Sequence, residues 1–568
     1  MTSQTATITP PFWQQPLHPV VLSAVVTLLL CLFYNGPLWR LIGEQPYPST
    51  LDRWLFTAAF FSFVAAIMQL FLGALAWPRL VKPIAIFLLI SAASVNYFME
   101  SYGILIDKTM VQNLFETDTA EATDLLSIQL LLHMLIKGIV PAVIVLLIPL
   151  KRTTLKPQLT AQSLSLFCCI TLIGLNAAVL YKDFSSLFRN HREIRNLVVP
   201  SNYLYYTSRY LAGAYDPVDH TFQALGTDAV QKRLVSAGNH KPDLLVVVLG
   251  ETARSMNFSL NGYARDTNPE LAKQPVVSFR QVESCGTSTA VSVPCMFSLM
   301  ARDSYNEDQA NYQSNVLDVL QQAGISVLWR DNNSGCKGVC ERVPHEDAGQ
   351  FNPDRDCRDE ECFDEQMLTG LEQWLAQQTG SAVIVLHQKG SHGPAYYKRV
   401  PESYAHFTPV CDSNQLQSCS QETITNAYDN SIRYTDHLLS RVIDFLQQQN
   451  GLFNTVMLYV SDHGESLGEN NIYLHGMPRM IAPDEQKKVP LITWLSDDFQ
   501  LSHRLPTSCL QSRKNTPLSH DNLTHSLLGL MNVSTQVYAP ELDLFAPCQG
   551  SSATLAQHAG SSPTTTDG

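Results

Sequence analysis

The sequence is short of charge: Asp, Glu, Lys and Arg make up 16% of its 568 residues. Long stretches before about residue 182 hold almost none of them. The mean hydropathy of −0.02 therefore averages an apolar front and a polar back. Positive charge is scarcer than negative, for a net charge of −13. That balance argues against nucleic acid as a partner, since such binding draws on a cationic surface. The N-terminus has neither a basic n-region nor a small-residue cleavage site, so it does not read as a cleaved signal peptide. No internal repeat is visible. Low-complexity sequence is confined to the tail from Ser551, whose Ser, Thr and Ala content reads as disordered. One compact core cannot organise a chain of this length, so at least two domains are expected.

Five stretches are long and apolar enough to span a bilayer, near 19–39, 54–77, 82–99, 126–150 and 162–181. Arg79 and Lys82 follow the second, and Lys151, Arg152 and Lys156 follow the fourth. The positive-inside rule makes those two loops cytoplasmic, and an odd number of spans then exports everything after Tyr181. His133 and Lys137 inside the fourth span are costly at membrane depth and ask for a buried partner or a function. The loop between spans three and four is acidic, with Asp107, Glu116, Asp118, Glu121 and Asp124 against Lys108. It reads either as solvated or as a contact for a lipid headgroup through Asn113 and Glu116. The domain reading is a transmembrane domain over 1–182, an interfacial helix and linker over 183–240, an exported domain over 241–550, and the tail 551–568.

Cys31, Cys168 and Cys169 fall in the apolar runs. The other ten cysteines all lie after residue 284, close together in sequence: Cys285 and Cys295, Cys336 and Cys340, Cys357 and Cys362, Cys411 and Cys419, with Cys509 and Cys548 left over. An even set in a polar domain reads as disulfides formed in an oxidising compartment. Sequence leaves the connectivity open. The competing reading is a structural zinc site of Cys336, Cys340, Cys357 and Cys362.

In the exported part, apolar strand candidates (244–249, 325–329, 382–386, 456–460 and 489–495) alternate with helical stretches near 311–323, 364–377 and 426–448, as in a mostly parallel α/β sheet. The residues just past each strand carry the functional signal, because ligands gather beyond the carboxyl ends of such strands. Glu251 stands past the first, Arg330 and Asp331 past the second, and His387 past the third with His392 just beyond. Asp462, His463 and Glu465 come after the fourth. Glu251 with Asp462 and His463 is a mixed carboxylate and imidazole set suited to Zn²⁺. The small-residue turn Cys285-Gly-Thr-Ser-Thr289 leads into a helix-compatible run, so Thr289 falls near a helix N-terminus, which favours a phosphate-bearing group. A metal beside it would make its hydroxyl a nucleophile. His392, Glu465 and His475 can form a second metal or phosphate pocket, and Lys337 can neutralise phosphate oxygens.

The stretches VVLGETARSMNFSLNGYARDTNPEL, SCGTSTAVSVPCMFS, LWRDNNSGCKGVC, LHQKGSHGPAYYKR and YVSDHGESLGENNIYLHGMP resemble the phosphoethanolamine transferases of Gram-negative inner membranes, the group that includes lipid A modifying and mobile colistin-resistance enzymes. The resemblance covers essentially the whole chain. It implies a five-span α-helical membrane domain with an α/β alkaline-phosphatase-like (sulfatase-like) soluble domain in the periplasm. It implies zinc held by Glu251, Thr289, Asp462 and His463, with room for a second ion. Thr289 would be the nucleophile, and Lys337, His392, Glu465 and His475 would serve the substrate or second-metal pocket. Asn113, Glu116 and His387 would lie along the lipid substrate. The implied reaction takes phosphoethanolamine from phosphatidylethanolamine, leaves diacylglycerol, and passes the group to a phosphate of lipid A, with the chain acting as a monomer. A core sugar or periplasmic glucan acceptor would use the same catalytic set. A sulfatase would carry a C/S-x-P-x-R turn, and the Pro and Arg are missing from the turn at Cys285. A zinc- or lipid-binding receptor without turnover is the non-enzymatic alternative; the intact Thr289 beside a full ligand set speaks against it.

Overall fold

The computed structural model describes residues 15–117, 119–191, 193–214, 221–232, 241–347, 357–358 and 361–550. Asp118, the tail 551–568 and parts of the 183–240 connector lie outside them. The chain forms two compact units: Met1–Phe115 with Leu125–Asp216, and Glu116–Asp124 with Pro217–Gly568.

The first unit is helical. Among the described residues, four helices are long and apolar enough to cross a membrane: α3 (Thr50–Ala74), α4 (Val81–Tyr102), α5 (Ile128–Leu147) and α6 (Leu155–Val179). The expected first span is a pair, α1 (Pro19–Phe33) and α2 (Gly36–Glu44), bent by 59°. Counting that pair as one span gives five. The bend has a local cause: Gly36-Pro37 opens α2, and Asn35 Nδ2 donates to the carbonyls of Leu30 and Val199, each at 2.9 Å. Lys137 has the partners its depth demands. Its ammonium donates to Asn96 Oδ1 at 2.8 Å and pairs with Glu100 at 3.2 Å, from a turn of π-helix at Met134–Ile139.

The second unit is built on an eight-stranded sheet. Its strands in chain order are β1 (Asp243–Gly250), β2 (Val277–Glu283), β3 (Ser326–Asp331), β4 (His345–Asp347), β5 (Ala382–His387), β6 (Asn454–Ser461), β7 (Lys488–Leu495) and β8 (Leu518–Ser519). They lie side by side as β8-β2-β7-β6-β1-β5-β3-β4. From β6 to β4 every pairing is parallel, whereas β7 runs antiparallel to both β6 and β2. The sheet is thus mixed. In β1, Leu245, Val247 and Leu249 enter one apolar core and Leu244, Val246 and Val248 the other, which explains its unbroken apolar run. Each such side chain contributes about 1.5–3 kcal/mol of burial. The 29-residue helix Gln421–Gln449 covers the second face, presenting Ile424, Tyr428, Ile432, Leu439 and Val442.

Three strands are not legible in the sequence. β2 shows no alternation, exposing the adjacent Arg280 and Gln281, and β4 and β8 are too short to carry a pattern. The disulfides are Cys285–Cys295, Cys336–Cys340, Cys411–Cys419 and Cys509–Cys548. Cys362 is also disulfide-bonded, and the side chain of Cys357 lies outside the described residues. A four-cysteine zinc site is therefore ruled out, because Cys336 and Cys340 are consumed by their own bond.

Candidate active site

Register brings the site together. β1 and β6 are adjacent and parallel, with Gly250 opposite Ser461, so the next residues along each strand, Glu251 and Asp462-His463, emerge side by side. Gly250 is required there: a Cβ would stand 2.5 Å from the Tyr459 hydroxyl. The neighbouring strands extend the same edge, Leu249 pairing with His387 and His387 with Asp331. Thr289 arrives from the sequence after β2. It opens the helix Thr289–Met296, and Cys285–Cys295 staples the preceding turn to that helix.

The Thr289 hydroxyl donates to Glu251 Oε2 at 3.0 Å and lies 3.4 Å from His463 Nε2. His463 Nε2 is in turn 3.4 Å from Glu251 Oε1 and 3.4 Å from Asp462 Oδ2. All four side chains are buried. Their other atoms are occupied in ways that aim the free ones inward. Asp462 Oδ1 accepts from the backbone N–H groups of Thr252 and His463, at 3.1 and 2.7 Å. His463 Nδ1 faces the Gly464 carbonyl at 2.9 Å, which makes Nδ1 the protonated nitrogen and leaves the Nε2 lone pair toward the cluster.

These residues fit a divalent cation. Asp462 Oδ2 is buried with no hydrogen-bond partner, a costly state for a carboxylate oxygen unless a cation meets it. Glu251, Asp462 and His463 can each offer one atom within 4.8 Å of the others. Burial disfavours a charged imidazole at His463, yet Asp462 and Glu251 together hold its pKa up at about 10. Burial likewise works against the Glu251 carboxylate, but the His463 hydrogen bond and charge keep it well below the usual range. The cluster calls for one positive charge, and a metal would supply it in place of the proton.

A second group, His463, Glu465 and His475, lies beside the first. His475 Nδ1 is 2.9 Å from Glu465 Oε2, and its ring centroid is 4.3 Å from that of His463 and 5.6 Å from that of His392. Lys337 sits in the loop after β3 with positive φ, +49°. Its ammonium donates to the carbonyls of Ser334 and Glu116 at 3.0 and 3.5 Å. His387 is fully buried rather than displayed along a surface: its Nδ1 is 2.8 Å from Asp331 Oδ2. Asn113 and Glu116 both belong to the helix Lys108–Glu116, but Asn113 falls in the first compact unit and Glu116 in the second.

Three further participants join the site, and of these the sequence points only to Asp331. Asn333 donates to Glu251 Oε2 at 2.6 Å and stands 3.2 Å from His387 Nε2. Asp331 orients His387 and accepts from Trp329 Nε1 at 2.9 Å. Tyr396 donates from its hydroxyl to Glu465 Oε1 at 2.6 Å. Position is the signal for two of them, since Asp331 ends β3 on the site edge and Asn333 lies two residues beyond it.

A sheet with a threonine hydroxyl and metal-competent carboxylates and imidazole at its carboxyl edge, joined to a unit of long apolar helices, defines a membrane-bound protein of the sulfatase and alkaline-phosphatase class. Residues 243–533 match the sulfatase family, and residues 64–215 match the family described as phosphoethanolamine transferase EptA/EptB. The chain is 43% identical over 475 residues to phosphoethanolamine transferase EptA of Escherichia coli K12, covering 82% of this chain and 86% of that one. It is 38% identical over 548 residues to phosphatidylethanolamine transferase Mcr-1 of Escherichia coli, covering 92% and 96%. Its fold matches the integral membrane protein lipooligosaccharide phosphoethanolamine transferase A (EptA) from Neisseria meningitidis with a TM-score of 0.88 at 35% identity, over 94% of this chain and all of that one. The chain belongs to the lipid A phosphoethanolamine transferase family. It is an inner-membrane protein whose catalytic domain faces the periplasm.

Proposed function

We propose that this chain transfers phosphoethanolamine from phosphatidylethanolamine to a phosphate of lipid A, through a covalent intermediate on Thr289. The observation that carries the reading is the Thr289 hydroxyl, 3.0 Å from Glu251 and 3.4 Å from His463 at the start of a helix. The names of the relatives supply donor and acceptor classes.

In the first half-reaction Thr289 Oγ1 bonds to phosphorus, and the bond from phosphorus to the glycerol oxygen breaks. The departing oxygen takes a proton and leaves as diacylglycerol. In the second, an oxygen of the acceptor phosphate attacks the same phosphorus and Thr289 regains its hydroxyl. Glu251, Thr289, Asp462 and His463 would hold a zinc ion, which supplies the positive charge that lets the Thr289 hydroxyl lose its proton near neutrality. The helix N-terminus at Thr289 offers unpaired N–H groups to phosphate oxygens. His475, gripped at Nδ1 by Glu465, presents Nε2 to give and take the proton of the leaving and entering oxygens. Lys337 and His392 offset charge on the phosphate, and His475 and Glu465 with His463 leave room for a second ion. Asn113 and Glu116, three apart on one helix, share a face suited to an ethanolamine headgroup. His387, by contrast, we assign to holding Asn333 in line rather than to lipid contact. The chain is taken to act as a monomer. The working parts are then a transmembrane domain over 1–182, an interfacial helix and linker over 183–240 and a catalytic domain over 241–550, followed by the tail 551–568. Each transfer adds an ammonium to an anionic glycolipid and so weakens its attraction for cationic peptides such as polymyxins.

The test is the intact mass of zinc-loaded protein exposed to phosphatidylethanolamine without acceptor. A phosphoethanolamine adduct mapping to Thr289 is expected, with diacylglycerol released. Thr289→Ala should lack the adduct and lose transfer by about 10³-fold or more while melting as the wild type does. Undiminished transfer by that variant would overturn the nucleophile.

A further inference from the structure

Asp124 lies in chain order between α4 and α5, in the acidic loop, yet it belongs to the compact unit built on the catalytic sheet. A solvated loop residue would be exposed. Asp124 is instead 5% exposed, at the C-terminal end of the helix Thr119–Asp124. A carboxylate is unfavourable there on two counts: the helix end is already negative, and burying a charge is costly unless it is paired. The pairing is extensive. Asp124 Oδ1 accepts from Lys398 Nζ at 2.7 Å and Oδ2 from Arg399 Nη2 at 2.9 Å. Its carbonyl accepts from Asn414 Nδ2.

The two cations are the last residues of the turn Tyr396–Arg399, and that turn touches the active site at both ends. Tyr396 bonds Glu465, which holds His475. Arg399 Nε donates to the carbonyl of His392 at 2.8 Å. A guanidinium is a rigid planar fork, so the direction of the Asp124 bond fixes the direction of the His392 bond. Gly393 lets the turn fold back closely, since the Tyr396 ring lies 2.8 Å from where a Cβ would stand. The stretch His392–Arg399 is therefore tied to the active site at both ends.

We propose that Asp124 is a positioning residue: by gripping Arg399 and Lys398 it sets the turn that aligns His392 and the Glu465–His475 pair with Thr289. This rests on the proposed phosphoethanolamine transfer. Asp124 touches no reacting atom and acts through Arg399.

The test uses the full-length, zinc-loaded chain in detergent micelles with a short-chain fluorescent phosphatidylethanolamine as donor. Asp124→Asn should lower kcat about tenfold, the scale expected of small misplacements of catalytic groups, while KM moves less than twofold. Arg399→Gln should do the same, and the double variant should be no slower than the slower single one, since both break one linkage. Lys398 is the more exposed partner, with its side chain 23% exposed, so Lys398→Gln should fold even if removing Asp124 impairs folding; a smaller fall in kcat alone is expected. Unchanged kcat in Asp124→Asn and Lys398→Gln, a loss confined to KM, or multiplicative losses in the double variant would each overturn the proposal. Failure of the wild type to consume the donor would instead overturn the transfer reading.

Discussion

Asp462 divides its work between two oxygens, one taking backbone N–H groups and the other left to the cluster. Glu251 is steered in a comparable way by Asn333, which reaches Oε2 at 2.6 Å. Asn333 is itself held against His387, and His387 against Asp331. Loss of such an outer partner typically weakens metal affinity 10–100-fold. Asn333→Ala should therefore lower zinc affinity by roughly that factor in chelator competition, with the fold intact; an unchanged affinity would remove Asn333 from this role. Such residues are where sequence reading stops. Glu251, Asp462 and His463 can be found because each sits immediately past an apolar run. Asn333 and Tyr396 act through hydrogen bonds whose partners are 82 and 69 positions away, and nothing in local spacing encodes that.

At the scale of elements, the central strands are legible because burial on both faces leaves an unbroken apolar run. The reversed direction of β7 is not, since a strand buried on both faces reads the same either way. Cysteine spacing likewise suggests bridges but cannot settle partners for Cys509 and Cys548. These two join the helix Thr507–Ser512 to the turn Ala546–Cys548 and close a loop of 39 residues. Chain-entropy arguments give such a closure about 4 kcal/mol. Replacing both by Ser in the full chain should lower the denaturant midpoint correspondingly and leave zinc affinity unchanged, since neither cysteine belongs to the metal-competent cluster. An unchanged midpoint would show that the bridge constrains little.

Across the whole catalytic unit, one histidine binds separate parts of the chain. His520 Nδ1 accepts from the N–H of Cys285 at 3.0 Å, and Nε2 donates to the Ser461 carbonyl at 3.0 Å. It thereby ties the nucleophile turn to the strand end that carries Asp462. The bonding requires a neutral ring, and burial pushes the imidazole down to about 3 from an ordinary 6.5. The unfolded chain takes up this proton below about 6.5 and the folded chain does not until about 3. Acid therefore favours unfolding across that window, and the contribution is flat above it. His520→Gln, which can accept and donate in the same directions without titrating, should show a shallower fall in melting temperature between pH 6.5 and 4; parallel curves would refute this.

The single reversed strand β7 has a consequence for how this enzyme can diversify. Because it runs against its neighbours, the segment that enters it, rather than one that leaves, borders the reactive edge. That segment brings His475 and Met477, and it docks on the nucleophile turn through Gly476 N to Thr287 O at 2.7 Å and Thr287 Oγ1 to Met477 O at 2.6 Å. Its length is set by no crossover helix, and lengthening such a loop costs little free energy. Insertions there would reshape the surface beside His475 while the strand ends bearing Glu251, Asp462 and His463 kept their spacing, so selectivity can drift without the chemistry drifting with it.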